Sequence, residues 1–216
     1  MPFVVSGARK GGRIIATAAA LLAVTATPAV AGGTTVKNAA ANPDRCVVSH
    51  SLSKPFSQWS DGADYALAPG GDFERGAAGW ALTRASVVTD NQPFAIGTSG
   101  SSALRLAAGA SVTSAPMCID SSYPHFRLFA RNLGKAKSPL RAEVLFLNAK
   151  GDVKSTASGQ VVATNTAWFP TNSLKIGVVF DAAVADGAAP VAFRSTAGSD
   201  AEWRIDDLYV DPYARR

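Results

Sequence analysis

Beyond residue 45 the chain alternates apolar and polar positions in short stretches broken by Gly, Pro, Asn and Ser, and a helical period is almost absent. The pattern predicts strands over Gly79–Val88, Ser102–Leu106, Ser111–Ile119, His125–Asn132, Leu140–Asn148, Ser173–Phe180, Val191–Ser195 and Trp203–Val210. Eight or nine strands in about 165 residues imply an all-β fold, a sandwich or a small barrel.

The alternation also assigns faces, because successive side chains of a strand point to opposite sides. Phe126, Leu128 and Ala130 share one side of their strand; Leu140, Ala142, Val144, Phe146 and Asn148 share one side of the next; Leu174, Ile176, Val178 and Phe180 share one side of a third. These sets are expected to meet between two sheets. The opposite sides mix Arg127, Arg131, Arg141 and Glu143 with Phe129, Leu145, Leu147 and Val179, which is too apolar for a plain solvent face. Either the N-terminal segment around Phe56 and Trp59 covers that surface or it is a binding groove, and coverage is the expectation.

Before the strands, Arg9, Lys10 and Arg13 precede an acid-free apolar run, and Pro28-Ala29-Val30-Ala31 ends in small residues at alternate positions. This is the pattern of a cleaved signal peptide over residues 1–31, the alternative being a short N-terminal anchor. Residues 32–45 hold hardly any large apolar side chain and read as a flexible lead-in to a domain over 46–213. The chain is expected to be secreted, extracellular or held at the cell surface, with no membrane span once the leader is removed.

The leader carries three of the 21 basic residues and none of the 16 acidic ones, so the remainder has 18 against 16. That near balance does not suggest a nucleic-acid partner. The two cysteines, Cys46 and Cys118, read as one disulfide in an oxidising compartment, with a free buried pair as the alternative.

Two motifs stand at the ends of the strand-rich region. Gly70-Gly71-Asp72-Phe73-Glu74-Arg75-Gly76 is followed by Gly79-Trp80, and the last strand contains Trp203-Arg204-Ile205-Asp206-Asp207-Leu208-Tyr209-Val210. Together they resemble the opening G-D-F-E-x-G turn and closing I-D-D strand of galactose-binding-like jelly-roll domains, a class that includes many carbohydrate-binding modules of secreted enzymes. The resemblance runs from Gly70 to Asp211. It implies a two-sheet antiparallel jelly-roll sandwich whose first turn returns beside its last strand. The portion with Cys46, Phe56, Trp59 and Tyr65 resembles an elaboration found in secreted actinobacterial proteins.

With Leu208 and Val210 pointing inward, a period of two places Asp206 on the same side, where a carboxylate is costly unless paired or metal-bound. The resemblance implies a structural Ca²⁺ held by Glu74 and Asp206, with Asp72 and Asp207 in reserve, and oxygen donors are what Ca²⁺ takes. The alternative is that Asp206 pairs with Arg75, Arg84 or Arg204, or accepts backbone N–H bonds.

Sugar recognition needs an exposed aromatic ring and polar groups fixed around it. Trp168 beside Asn165 is one candidate platform; Tyr123 and His125, entering the strand that carries Arg127 and Arg131, are another. The arginines could instead pair with Glu143, or meet an acidic polysaccharide. Two histidines, His50 and His125, and no G-x-S-x-G, H-E-x-x-H or P-loop motif argue against an enzyme. The expected function is noncatalytic binding of a glycan or cell-wall polymer. The competing reading is a structural protein of the envelope or of an extracellular assembly, working through protein partners or self-association.

Overall fold

The computed structural model describes residues 46, 50–96, 100–120, 123, 125–134, 137–163, 165–176 and 188–211. The expected leader and lead-in, residues 1–45, lie outside the described residues, as do Pro212 and Tyr213 at the end of the expected domain. The described part belongs to one unit, Thr35–Arg216.

Twelve strands follow in order: β1 (Leu52–Ser53), β2 (Tyr65–Leu67), β3 (Ala81–Thr89), β4 (Ser102–Thr113), β5 (Met117–Asp120), β6 (His125–Asn132), β7 (Leu140–Leu147), β8 (Val153–Val161), β9 (Phe169–Pro170), β10 (Leu174–Lys175), β11 (Ala188–Ala197) and β12 (Trp203–Asp211). Every pairing is antiparallel. The first sheet runs β1–β2–β12–β6, with β9 and β10 on the far side of β6. The second places β5 and the end of β4 on one side of β11 and β7–β8 on the other. The fold is the expected two-sheet jelly-roll sandwich.

One hairpin belongs to both sheets. Ala85–Thr89 of β3 pairs with Ser102–Leu106 beside β12, whereas Ala81–Thr83 pairs with Ser111–Thr113 beside β11. The bend between the halves sits at Arg84 and Gly109, both left-handed with φ of 55° and 67°. The Arg84 guanidinium donates to the Ala108 carbonyl there. Glycine meets the left-handed geometry without a steric cost, and the bend keeps Ser102–Thr113 a single strand where the hydrophobic pattern suggests two.

Between the sheets lie the predicted inward sets: Phe126, Leu128 and Ala130 of β6 face Leu140, Ala142, Val144 and Phe146 of β7, with Val191 and Phe193 of β11. Leu174 and Ile176 pack on this core too, while Val178, Val179 and Phe180 fall outside the described residues. β8 is an unpredicted strand. Its inward positions Ser155, Ala157 and Gly159 are too small to register as an apolar alternation.

The outer face of the first sheet is covered at Phe129, as expected, whereas Leu145 and Leu147, expected on the same surface, lie in the second sheet and form a separate buried cluster with Ala192. Phe56 stacks on Phe129 with ring centroids 5.3 Å apart, and Trp59, Tyr65 and Tyr209 complete the cluster. The segment that follows β1 is held there by a 3-10 turn, Ser57–Trp59, closed by left-handed Ser60. The Cys46–Cys118 disulfide ties the chain ahead of this segment to β5, with Cα atoms 5.4 Å apart. Among the described residues, no helix is long and apolar enough to cross a membrane.

Candidate functional site

The opening turn does return beside the last strand. The amide of Leu208 donates to the Gly71 carbonyl at 3.3 Å, and the amide of Ala68 donates to the Leu208 carbonyl at 2.8 Å. Phe73, also left-handed at φ 55°, puts its ring edge-on to Trp80 in the main core. Glu74 is thereby carried to the start of β4, where it accepts bonds from the amides of Ser101 and Ser102 at 2.9 and 2.8 Å.

The last strand departs from simple alternation. Trp203 and Ile205 point into the main core, and so do Leu208 and Val210, because the register of β12 against β6 shifts between Asp206 and Tyr209. The two aspartates form the bulge, with Asp207 left-handed at φ 46°. The expectation that Asp206 shares a face with Leu208 and Val210 is therefore corrected: one extra residue resets the period.

Asp206 and Asp207 are both buried. Asp206 accepts from the Gln92 amide at 3.3 Å and from the Asp207 amide at 2.9 Å, and Asp207 accepts from the Gln92 side-chain amide at 3.0 Å. Asp206 thus accepts backbone N–H bonds, while Arg204 pairs with Asp90 and Glu202 and Arg75 is exposed. Burial, then the neighbouring Asp207 charge, pushes the Asp206 carboxyl up to about 9. Burial, with Asp72 and Glu74 nearby, pushes Asp207 up to about 7 against the opposing Gln92 bond. Asp72, Glu74, Asn91 and Asp207 line a cleft of about 60 Å³. This is an oxygen-rich pocket with excess negative charge, in keeping with a hard cation. Among the described residues no three acidic, histidine or cysteine side chains form a metal-holding group, so main-chain and amide oxygens would have to complete any coordination shell.

The predicted binding residues separate into different environments. Arg127 is buried: its guanidinium meets Asp61 at 2.6 Å, donates to the Thr171 carbonyl at 2.8 Å and lies 4.0 Å over the Phe56 ring. Tyr65 donates to the same Asp61 at 2.8 Å, and burial, followed by that bond, raises its phenol to about 12. Arg127 is thus a fastener for the covering segment. Tyr123 is likewise internal, edge-on to His50 at 5.8 Å. His125, at the start of β6, is partly buried and opposite Lys175 and Asp211. Neither arginine of β6 reaches Glu143, which lies in the other sheet and pairs with Arg141 at 3.0 Å.

Arg131 and Trp168 do come together. The Arg131 guanidinium lies 5.3 Å from the Trp168 ring centroid, and β9, which follows Trp168 directly, pairs with the β6 residues Phe129 and Ala130. Trp168 is half-buried and, with Asn165, Val162 and Phe169, lines a cleft of about 290 Å³. Asn165 accepts from the Ala167 amide at 3.0 Å, which closes the turn presenting the indole. The large apolar side chains most exposed among the described residues are Leu52, Leu82, Leu133, Val153 and Val162, and they include no aromatic ring.

No protein-family model matches the chain, and no curated protein does. Among solved structures it is similar to the module TmCBM61 in complex with beta-1,4-galactotriose, at 17% identity over 65% of this chain and 94% of that one, TM-score 0.40. It is similar to a family 35 carbohydrate binding module from Clostridium thermocellum, at 18% identity over 68% and 96%, TM-score 0.41. An arabinose-bound α-L-arabinofuranosidase matches at 18% identity over 69% of this chain and 27% of that chain, TM-score 0.48.

Sequence reasoning missed Asp61, Gln92 and Asp90, the partners that define both environments. Each contacts its partner across 41 or more residues of chain, so no local pattern reveals it.

Proposed function

We propose that this protein is a secreted, noncatalytic module that binds a glycan or cell-wall polymer through the Trp168 cleft. The observation that carries the reading is a half-buried indole, braced by Arg131 and presented by the Asn165 turn, lining a cleft of about 290 Å³. An indole offers an apolar, electron-rich surface for the C–H face of a sugar ring, and the exposed Asn165 amide can meet hydroxyls at its edge. The leader-like segment over residues 1–31 and the Cys46–Cys118 disulfide support export to an oxidising compartment.

Ca²⁺ completes the proposal as a structural ion. Glu74, Asp72 and Asp207 around the small cleft, with Asp206 behind them, are the groups that would hold it. Its charge would offset carboxylates that have no lysine or arginine partner among the described residues.

A glycan array that includes peptidoglycan and anionic polymers, run with and without Ca²⁺, tests the reading. Binding by the wild-type protein that falls about tenfold or more in Trp168→Ala, at unchanged melting temperature, supports it. No binding to any polymer, together with a defined oligomer in light scattering, overturns it in favour of an assembly role.

A further inference from the structure

Three arginines stand directly opposite one another on adjacent strands of the first sheet. Arg204 of β12 is the register partner of Arg105 of β4 on one side and of Arg131 of β6 on the other. Like charges facing across strands are destabilising, and strands lie about 4.8 Å apart, so this row needs anions. Two carboxylates from the protein thread it: Arg131 to Asp90 at 2.5 Å, Asp90 to Arg204 at 3.4 Å, Arg204 to Glu202 at 3.1 Å and Glu202 to Arg105 at 2.5 Å.

The resulting ladder alternates in sign and ends in a cation on each side. Three guanidinium groups meet two carboxylates, which leaves one positive charge in surplus. The terminal members are the more open ones: the Arg105 and Arg131 side chains are 41% and 26% exposed, against 16% for Arg204 at the centre. Asp206, two residues along β12, does not neutralise the row, because its oxygens are turned to the amides of Gln92 and Asp207. At the Arg131 end the ladder runs directly into the Trp168 ring.

We infer that the ligand of the Trp168 cleft is a carboxylate-bearing glycan, a polyuronate, whose acid group extends the ladder at Arg131. The inference rests on the glycan-binding reading above and adds the ligand's charge. A guanidinium matches a carboxylate in planar geometry and needs little reorganisation to accept one, while the indole beside it holds the sugar ring. The single surplus charge suits one acid group per bound sugar.

The test is titration calorimetry of the full chain with a polyuronate, with the same polymer fully methyl-esterified, and with a sulfated glycan, each at low and high salt. Expected are binding to the free acid about tenfold tighter than to the ester, and a preference that shrinks with salt. Arg131→Gln should abolish the preference, while Arg131→Lys should retain part of it. Melting temperatures of both variants separate this from unfolding, and weak binding to the neutral ester should persist in each. Equal affinity for acid and ester, an unchanged preference in Arg131→Gln, or tighter binding to the sulfated polymer would overturn the charge assignment and leave glycan binding standing. Loss of binding to every polymer, neutral ones included, would remove the underlying reading as well.

Discussion

Gly71 lies against Leu208 so closely that a Cβ on the glycine would stand 3.2 Å from the Leu208 carbonyl oxygen and 3.4 Å from its amide nitrogen. Both obstacles are main-chain atoms that take part in the seam between the opening turn and the last strand. Gly71→Ala should therefore destabilise the fold by about 1–3 kcal/mol, as overpacking does. Urea denaturation reads this directly, and a variant with wild-type stability would show that the seam is looser than described.

The Arg127–Asp61 pair should prove the most sensitive electrostatic contact. Both side chains are about nine-tenths buried, so removing one partner leaves an uncompensated charge. Asp61→Ala is expected to cost about 3–5 kcal/mol, and Tyr65→Phe, which removes one bond to the same carboxylate, about 1 kcal/mol. Tryptophan fluorescence of the variants would report whether the covering segment with Trp59 detaches before the rest unfolds. If Asp61→Ala melts like the wild type, Arg127 has found solvent and the segment is not fastened there.

Stability should fall with rising pH when divalent cations are chelated. Asp206 and Asp207 have native carboxyls raised to about 9 and about 7 from an ordinary 3.8. The native state then binds more protons than the unfolded state between about pH 4 and pH 9, so stability is greatest below the unfolded value and is lost as pH climbs through the native ones. Added Ca²⁺ should restore the melting temperature at pH 8 and have little effect at pH 5. Asp206→Asn should remove the loss at the higher pH, leave the fall near pH 7 that belongs to Asp207, and weaken the Ca²⁺ response. A melting temperature indifferent to pH and to chelator would rule out both the uncompensated charge and the ion.

Replacing Cys46 and Cys118 by serine should cost about 4 kcal/mol, the chain-entropy value for a closed loop of this length. The bridge spans 72 residues and anchors the segment ahead of β1. Chemical denaturation of the double variant measures it, and a cost near zero would mean that the bridge does not constrain the unfolded chain as this value requires.

Much of the sandwich could be read from alternation, because its inward positions are large. Phe126, Leu128, Val144 and Phe146 announce their faces, and Phe129, apolar on the wrong side, announces that something covers it. β8 could not be read, since Ser155, Ala157 and Gly159 bury little area for a pattern to detect. Nor could the turn of phase in β12, where a bulge rather than a change in composition brings Ile205 and Leu208 to the same side. At the site, Trp168 and Asn165 are neighbours in sequence and were legible together. The fate of the arginines was not: Arg127 and Arg131 are four residues apart on one strand face, and distant acids, Asp61 for one and Asp90 for the other, accompany the burial of the first and the partial exposure of the second.

The hairpin that bends at Arg84 and Gly109 contributes its two halves to opposite layers. Neither layer can come apart while that ribbon remains whole, for each would have to surrender a strand the other is still using. Heat should accordingly take the described region from native to unfolded in a single transition, with no half-sandwich surviving on its own.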